Sequence, residues 1–446
     1  MQEHSAALQK IRAAGVVGAG GAGFPTYKKL DAQVDHIIAN GAECEPLMYK
    51  DREVLLQEKE RLLEGLSIMQ RITGAKKVTI AIKRKNSDVA NLLDADSRRL
   101  GFTTFIMEDV YPAGDEYILV YDITGRLIPP GGLPLQVGAL VQNVETIVNI
   151  ARAMAGEPVT DKFVTVTGAV DQAITVRIPI GTRFSDCLAL AGGATVSHPL
   201  VFTGGIMMGG VETDLSMPVV KTNGGLIFLP TDHPVAMRKL APAAQYLRIG
   251  HSCCDQCSMC TELCPRYLLG YPIEPHKVMR SLLMTGDDLD RISLWAAYCC
   301  ECNVCSLFAC PEKLDPKNIC ADAKKRLREN GLSRTPDELA ALSRDVHPVR
   351  SGREVPITML YQRLGLKPYD RKAHFLETNF VPAEVELPLQ QHIGAAAVPV
   401  VKSGDTVVRG QLIADVPGEK LGCPVHASIS GRISKVQENS IIIKAE

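Results

Sequence analysis

The sequence predicts a multidomain α/β protein, and three observations support this prediction. Strands alternate with helices through residues 1–158, which is typical of an α/β domain with a mostly parallel sheet. Short β-branched segments broken by glycine occupy residues 159–232 and again residues 381–446. Cysteines concentrate in a largely helical stretch, residues 245–330. With 446 residues, the chain is long enough for each of these parts to bury a core.

The first part of the chain begins with a glycine-rich loop. Five glycines fall within residues 15–23, so backbone N–H groups there can approach a phosphate or a flat ring without obstruction from Cβ atoms. A short strand at residues 36–39 leads into a polar loop with two carboxylates, Glu43 and Glu45. Ligands bind at the carboxyl ends of parallel strands, which makes this loop a second candidate for ligand contact.

The remainder of this part alternates between helix and strand. The predicted elements are a helix at 51–72, a strand at 77–83, a helix at 87–100, a strand at 102–107 and a helix at 144–154. Gln142 and Asn143 stand just before the last helix, where their amides either cap the helix or contact a heterocycle.

The glycine-broken strands of residues 159–232 predict a small β-grasp module rather than a continuation of the first sheet. The segments FVTVTGAV and AITVRIPIGT precede a short helix at residues 184–191, and PLVFTGGIMMGG follows it. A turn-forming cluster at residues 231–234 ends the pattern, and a helical linker leads from there into the cysteine region.

The cysteine region contains two runs that are typical of bacterial ferredoxins. The first is C-x2-C-x2-C-x3-C-P and the second is C-x2-C-x2-C-x4-C-P. The cysteines of the two runs are Cys254, Cys257, Cys260 and Cys264, then Cys299, Cys302, Cys305 and Cys310. Two [4Fe–4S] clusters are therefore predicted, because two-residue gaps let a short loop place three thiolates around one corner of a cubane.

In paired runs of this kind, the fourth cysteine of each run binds the other cluster. We therefore assign Cys254, Cys257, Cys260 and Cys310 to one cluster, and Cys299, Cys302, Cys305 and Cys264 to the other. Structural zinc is the alternative, since C-x2-C pairs also bind zinc. The neighbouring cysteines Cys253 and Cys300 create a one-residue ambiguity, but only Cys254 and Cys299 preserve the two-residue gap.

The stretch between the two runs is rich in helix-forming residues, so residues 245–330 predict a helical two-cluster ferredoxin domain. Residues 331–380 are predicted to be a linker with charged helices. In the C-terminal part, two similar halves of short strands with glycine turns predict a barrel-sandwich hybrid of the lipoyl type. Lys420 lies near the central turn but lacks the usual sequence context of a lipoylated lysine, so a docking surface is the favoured role.

Composition excludes several classes of function. The net charge is −1, which gives no basis for binding nucleic acid or an anionic membrane surface. No apolar run approaches the length of a membrane span, and the first residues do not have the pattern of a signal peptide. A cytoplasmic location is expected, in which disulfides between these cysteines are not favoured.

Three segments together carry a family resemblance. GAGGAGFPT, ANGAECEP and QNVET occur in this order and resemble the flavin- and NADH-binding subunit of respiratory complex I and the C subunit of the Rnf electron-transport complex. The β-grasp segment then resembles an SLBB domain. Two ferredoxin runs are typical of the Rnf-like branch. The barrel-sandwich module is N-terminal in the Rnf protein but C-terminal here, as in the cobalamin reductases of propanediol-utilisation microcompartments.

The resemblance implies a Rossmann-like FMN- and NADH-binding domain, with site residues transferred position by position. The implied FMN contacts are Gly18, Gly20, Gly21, Gly23, Lys29, Asn40, Glu43, Asn143 and Thr146. The implied nicotinamide contacts are Phe24, Glu45 and Glu116. The sequence departs from the complex I pattern at Ala19 and Ala42, where that family has arginine and aspartate, and at Asp115, where it has glutamate.

Three hypotheses follow for function. The resemblance implies an FMN-, NADH- and iron–sulfur-dependent cobalamin reductase that works inside a bacterial microcompartment, with a cob(I)alamin adenosyltransferase and shell proteins as partners. The second hypothesis is an electron-transfer subunit of an Rnf-type NADH:ferredoxin oxidoreductase complex. The third is a non-catalytic scaffold stabilised by zinc.

Overall fold

A computed structural model describes residues 2–418 and 420–446. Within these residues, no helix combines the length and the apolar character that a bilayer span requires. The chain forms the predicted series of α/β, β, helical and β parts, and the elements are given below in chain order.

The first part is a parallel α/β sheet with helices packed on it. Its elements are α1 Gln2–Ala13, α2 Thr26–Leu30, β1 His36–Gly41, α3 Lys50–Gln57, α4 Lys59–Thr73, β2 Lys77–Lys83, α5 Ser87–Arg99, β3 Thr103–Met107, β4 Val110–Tyr111, α6 Glu116–Thr124, β5 Ala139–Asn143 and α7 Val144–Met154. The sheet order is β3-β2-β1-β5 with all pairs parallel, and Ile38 pairs with both Thr79 and Val141. The predicted alternation of strand and helix is confirmed.

One predicted helix, 51–72, is divided in two. The chain leaves helical geometry at Glu58, which has φ −123° and ends α3 before α4 begins. The Glu58 carboxylate pairs with Arg152 of α7. On the same side, α4 approaches α7 so closely that a Cβ on Gly65 would lie 2.3 Å from the carbonyl oxygen of Ile147. Only glycine fits at this crossing.

The second part is a mixed β-sheet with one helix. Its elements are β6 Asp161–Gly168, β7 Ile174–Pro179, α8 Phe184–Leu190, β8 Pro199–Thr203, β9 Gly210–Glu212 and β10 Gly225–Pro230. The order is β7-β6-β10-β8-β9, where β10 runs parallel to β6 and antiparallel to β8. Valine, isoleucine and phenylalanine side chains from these strands form a core of their own, which is consistent with a separate module.

The third part is helical, as predicted. Its α-helices are α9 Pro234–Lys239, α10 Ala243–Cys253, α11 Met259–Glu262, α12 Pro265–Leu268, α13 Pro275–Met279, α14 Gly286–Ser293 and α15 Pro316–Glu329. Short 3-10 turns at Arg280–Leu283 and Leu294–Ala296 and a π-helical turn at Cys305–Ala309 complete it.

Residues 331–380 do more than connect two parts. Their elements are α16 Pro336–Leu342, α17 Arg350–Arg353, β11 Val355–Pro356, α18 Ile357–Arg363 and β12 His374–Leu376. Strand β11 pairs with β4 of the first part, and β12 adds to the second sheet beside β7. The charged composition of this stretch gave no signal for these pairings, because two- and three-residue strands carry too little pattern.

The C-terminal part contains two small antiparallel sheets. Its strands are β13 Glu384–Pro388, β14 Val398–Pro399, β15 Thr406–Val407, β16 Leu412–Asp415, β17 Val425–His426, β18 Gly431–Val436 and β19 Ser440–Ala445. Their orders are β13-β19-β18-β15 and β14-β16-β17. Two small antiparallel sheets are expected of a barrel-sandwich hybrid. Their apolar side chains join the same core as those of the first part.

Candidate functional site

The glycine loop lies against the N-terminus of α7. Thr146 accepts a hydrogen bond from the backbone N–H of Ala19 at 2.8 Å. A Cβ on Gly20 would lie 3.2 Å from the side chain of Asn143. Gly21 has φ +117°, and a Cβ there would meet nothing within 4 Å. The loop is therefore tight against α7 on one side and open on the other, where backbone groups and the positive end of a helix favour a phosphate.

A buried charge network lies behind the loop. Glu145 lies between Lys50, at 3.0 Å, and Lys162, and it also accepts the backbone N–H of Phe163 at 3.0 Å. Lys50 contacts Asp51 at 2.6 Å. Lys162 in turn donates to the carbonyl oxygen of Ala19 in the loop. Burial opposes ionisation of Glu145, but Lys162 and Lys50 hold its pKa below the ordinary value.

Sequence reasoning did not single out Lys50, Asp51, Glu145 or Lys162. Three of them occur in stretches assigned to helix or loop, where isolated charges are usually solvated, and Lys162 lies at the start of a strand. Glu145 follows Asn143 within the QNVET segment, which is the one available signal. The network positions the loop because Lys162 joins Glu145 to the Ala19 carbonyl.

The predicted flavin contacts Asn40, Glu43 and Asn143 all lie near the carboxyl end of β1. Asn40 donates to the carbonyl oxygen of Gly114 at 3.0 Å. Asn143 caps α7 through the N–H of Glu145, and its amide donates to Asp51. Asn143 therefore caps the helix, as one of its two predicted roles requires, and at the same time contacts Asp51. The carboxylate of Glu43 accepts the N–H of Asp51 at 3.0 Å, and burial followed by the nearby Asp51 raises its pKa to about 7.

The predicted nicotinamide contacts are arranged differently from one another. Both oxygens of Glu45 accept backbone N–H groups of the second part, from Met207 and Met208, each at 2.8 Å. Glu116 pairs with Lys29 at 3.6 Å, and Phe24 is 38% exposed. Phe24, Glu116 and Lys29 therefore remain accessible, whereas Glu45 is engaged by the neighbouring module.

The second part and the C-terminal module together hold both ends of the glycine loop. At the start of the loop, buried Lys221 donates to the carbonyl oxygens of Gly15, at 2.8 Å, and Pro424, at 3.0 Å. At its end, the N–H of Ile393 donates to the carbonyl oxygen of Gly23 at 3.1 Å. The module thus contributes directly to the conformation of a loop more than 350 residues away in sequence.

Replacing Lys221 with methionine is expected to weaken FMN binding about tenfold, because it removes two hydrogen bonds from a buried ammonium group while keeping the side-chain length. Fluorescence titration of the flavin-free protein measures the dissociation constant. Lys402→Met, an exposed change in the C-terminal module, is the matched control. Equal FMN affinities for the two variants would show that the hydrogen bonds of Lys221 do not position the loop.

Four thiols from both cysteine runs surround one cavity. The lining of this cavity includes Cys254, Cys257, Cys260 and Cys310. Burial and then the neighbouring Cys254, Cys310 and Cys257 raise the pKa of Cys260 to about 12. The N–H of Leu314 donates to the sulfur of Cys310 at 3.3 Å. This grouping has the composition of one predicted cluster site, and we call it the outer thiol group.

Cys264, Cys302 and Cys305 lie in the interior, together with the adjacent pair Cys299 and Cys300. Cys264, Cys302 and Cys305 are each at least nine-tenths buried. Burial, then Cys300 and more weakly Cys299, raises the pKa of Cys264. A hydrogen bond with Cys320 lowers the pKa of Cys299, whereas Cys302 interacts most strongly with Cys300. We call Cys264, Cys302 and Cys305 the inner thiol group. Both Cys299 and Cys300 lie near it, and the assignment of Cys299 as its fourth ligand stays a prediction.

In the described part of the chain, no three Cys, His, Asp or Glu side chains converge closely enough to hold a single metal ion. A four-iron cluster binds each thiolate at a different iron atom, so its ligands stand farther apart than those of one ion. Four cysteines lie outside the two runs and their neighbours. Cys187, Cys320 and Cys423 are buried, whereas Cys44 is partly exposed.

The inner thiol group packs against the first part of the chain. Cys264 belongs to the same core as Ala42 and Ala113, and Tyr111 donates to the carbonyl oxygen of Cys302 at 2.8 Å. Close to Cys264 in sequence, Arg266 pairs with Asp115 at 2.8 Å. In contrast, the side chains of Cys254 and Cys310 in the outer group belong to a core formed by residues of the third part.

Comparison with known families agrees with this architecture. The Nuo51 FMN-binding domain matches residues 11–152, the SLBB domain matches residues 163–210, the 4Fe-4S dicluster domain matches residues 253–315, and the RnfC barrel sandwich hybrid domain matches residues 362–446. The predicted fold class is confirmed, and the chain has an FMN-binding domain and a 4Fe-4S dicluster domain.

Two relatives match almost the whole chain. Cobalamin reductase PduS of Citrobacter freundii is 42% identical over 441 residues, which are 98% of this chain and 95% of the relative. The chain belongs to the cobalamin reductase PduS family. The PduS of Salmonella typhimurium is also 42% identical, again over 98% of this chain and 95% of the relative.

More distant relatives share part of the chain. The C subunit of the proton-translocating ferredoxin:NAD(+) oxidoreductase complex of Clostridium ljungdahlii is 33% identical over 58% of this chain and 55% of its own. An NAD+-reducing [NiFe]-hydrogenase in the H2-reduced state has a similar fold, with a TM-score of 0.50 and 21% identity over 76% of this chain and 65% of the hydrogenase chain.

The site fits the FMN that the family implies. The loop has no Cβ at Gly20 and Gly21, α7 directs its N-terminus at the loop, and Gly21 faces open space. The four thiols around one cavity likewise fit an iron–sulfur cluster, because thiolates are the ligands that such clusters require. Ala19, at which complex I has arginine, still contributes both of its backbone polar groups, to Thr146 and Lys162.

Proposed function

We propose that this protein is an NADH-dependent cobalamin reductase that uses FMN and two [4Fe–4S] clusters. It reduces cob(III)alamin to cob(II)alamin and towards cob(I)alamin, which a cob(I)alamin adenosyltransferase then consumes inside a bacterial microcompartment. The observation that supports this proposal most strongly is the similarity to cobalamin reductase PduS over 98% of the chain. In the balanced reaction, one NADH and two molecules of cob(III)alamin give NAD⁺, a proton and two molecules of cob(II)alamin.

The residues around the glycine loop would bind and orient the donor side of the reaction. A bound flavin accepts a hydride and releases its electrons singly, which is why it stands between NADH and one-electron carriers. The chain would hold it with the loop backbone at Gly20 and Gly21 and with Thr146. Phe24 and the Lys29–Glu116 pair remain accessible beside the loop for the nicotinamide nucleotide.

The two thiol groups would define the exit route. The inner group lies against the first part of the chain through Tyr111 and the Asp115–Arg266 pair. The outer group borders a cavity at which Cys257 is exposed. A cluster held by the inner group would lie against the flavin-binding part of the chain, and a cluster held by the outer group would lie near the surface. Both would supply one-electron carriers.

The test is anaerobic reduction of cob(III)alamin by NADH with the isolated, fully reconstituted protein. We expect two molecules of cob(II)alamin to form for each NADH oxidised. Absorbance spectroscopy measures both compounds. Free FMN at the same concentration, with NADH and without protein, is the control. Absence of protein-dependent reduction despite full flavin and iron loading would contradict the proposal.

The second candidate is an electron-transfer subunit of an Rnf-type complex. It is supported by the 33% identity to the corresponding protein of the Clostridium ljungdahlii complex, which is limited to 58% of this chain. A protein that reduces a ferredoxin only when bound to membrane subunits, and never a corrinoid, would favour this candidate. Zinc in place of iron in an anaerobically purified, colourless sample would exclude both redox functions and favour the scaffold.

A further inference from the structure

A polar cavity lies between the second part of the chain and the cysteine region. Its volume is about 200 Å³, and it is bordered by the β8–β9 connection, the end of α9 and the start of α15. Ser306 and Leu307 also line it, so it touches the segment that joins Cys305 of the inner group to Cys310 of the outer group. None of the glycine-loop residues borders this cavity.

The charges around the cavity favour an anion. Arg238, Lys239 and Lys317 line it, against one carboxylate, Asp315. Asp315 caps α15 through the N–H of Asn318 and accepts the hydroxyl of Ser306 at 2.7 Å. Arg238 and Lys239 donate to backbone carbonyl oxygens, which leaves their charge uncompensated by a carboxylate at those contacts. Helix α15 has 14 residues, so its first turn adds partial positive charge at the same place.

A second observation is independent of these charges. Asn303 is 6% exposed and lines the cavity, and its amide nitrogen donates to the carbonyl oxygen of Met207 at 3.0 Å. Among the residues that the structure describes, its Oδ1 has no hydrogen-bond partner. A buried carbonyl oxygen without a donor is costly, so a ligand N–H or O–H group that reached Asn303 would lower the free energy of the bound state.

Together these features favour a ligand that carries an anionic group, such as a phosphate ester, and a neighbouring hydrogen-bond donor. We propose that this cavity binds the phosphodiester of the nucleotide tail of a corrinoid, and so docks the electron acceptor beside the thiol groups. The inference rests on the proposed function, and it adds a recognition site to it. Cobalamin has such a tail together with several primary amides, whereas cobinamide lacks the phosphate and nucleotide.

Lys317 is the residue of choice for the test, because its side chain is 23% exposed and its ammonium group lies 3.6 Å from the surface residue Glu301. Lys325 lies on the same helix, is 69% exposed and does not line the cavity, so Lys325→Gln is the matched control for Lys317→Gln. A second variant, Lys239→Gln, removes a cation that α9 contributes to the same cavity.

Binding is measured by equilibrium dialysis of cobalamin and of cobinamide against the oxidised holoenzyme, and no turnover is required. Loss of one charge-assisted contact predicts an affinity for cobalamin about tenfold lower in Lys317→Gln and in Lys239→Gln, with cobinamide binding unchanged. An equal loss for both corrinoids, or no difference from Lys325→Gln, would overturn the inference.

The Michaelis constant for NADH, measured with ferricyanide as acceptor, distinguishes the other source of a phosphate ester. If the Michaelis constant for NADH rose in Lys317→Gln and Lys239→Gln while cobalamin binding stayed unchanged, the cavity would be assigned to the dinucleotide. That result would overturn the corrinoid proposal. Wild-type protein that binds cobalamin in preference to cobinamide but does not reduce it would contradict the proposed function and leave the docking site supported.

Discussion

Replacing Cys310 with alanine is expected to remove about half of the iron, because one of two four-iron clusters loses a ligand. Cys310 belongs to the second cysteine run but lines the same cavity as Cys257 of the first run. The cluster lost should therefore be the one lost in Cys257→Ala. Iron analysis gives the amount, and electron paramagnetic resonance of the reduced protein shows which signal remains.

Cys253→Ala is the matched control, since this exposed neighbour of Cys254 does not line the cavity. It should retain all of the iron. If Cys310→Ala and Cys257→Ala retained different signals, each run would supply its own cluster, and the crossed assignment would be wrong. Unchanged iron in both variants would contradict the ligand assignment altogether.

Replacing Glu145 with glutamine is expected to destabilise the first part of the chain by about 3–5 kcal/mol, since Lys162 loses its buried counter-charge. Glu145 is 2% exposed and contacts both Lys50 and Lys162. Because Lys162 also holds the Ala19 carbonyl, the variant should release FMN at a lower urea concentration. Flavin fluorescence during urea unfolding measures this.

Glu157→Gln is the control, because Glu157 is 51% exposed and pairs with Arg61 only at the surface. Its effect should stay within about 0.5 kcal/mol. The double variant Glu145→Leu with Lys162→Met should recover part of the stability, since no unpaired charge is then left at Lys162. If Glu145→Gln destabilised the protein no more than Glu157→Gln does, the network would not be what stabilises the loop.

The sequence predicted those elements whose pattern is long and local. Strand β2 and helix α7 have the predicted bounds, since a buried β-branched run and a continuous amphipathic segment each carry many residues of signal. The two cysteine runs were equally informative because their spacing is fixed by the chemistry of the ligand. Strands β11 and β12 were missed because two or three residues carry no period.

The candidate site was predictable only where function leaves a motif. The glycine loop and the cysteines were found in this way. Lys162 and Lys221 were missed, because each acts through contacts with carbonyl oxygens that are remote in sequence. The position of Glu45 was also missed: its partners, Met207 and Met208, are backbone groups of another module, and backbone donors have no sequence signature.

The contacts of Gly15 and Gly23 with the C-terminal module also bear on how the protein is made. Chains emerge from the ribosome N-terminus first, and their parts fold as they appear. The glycine loop is among the first segments to emerge. Ile393, which donates to the carbonyl oxygen of Gly23, and Pro424, which accepts from the same Lys221 ammonium group as Gly15, are among the last. The loop can therefore reach its native shape only when synthesis is almost finished. Flavin insertion becomes a late step of maturation, and a truncated chain is left without a finished cofactor site.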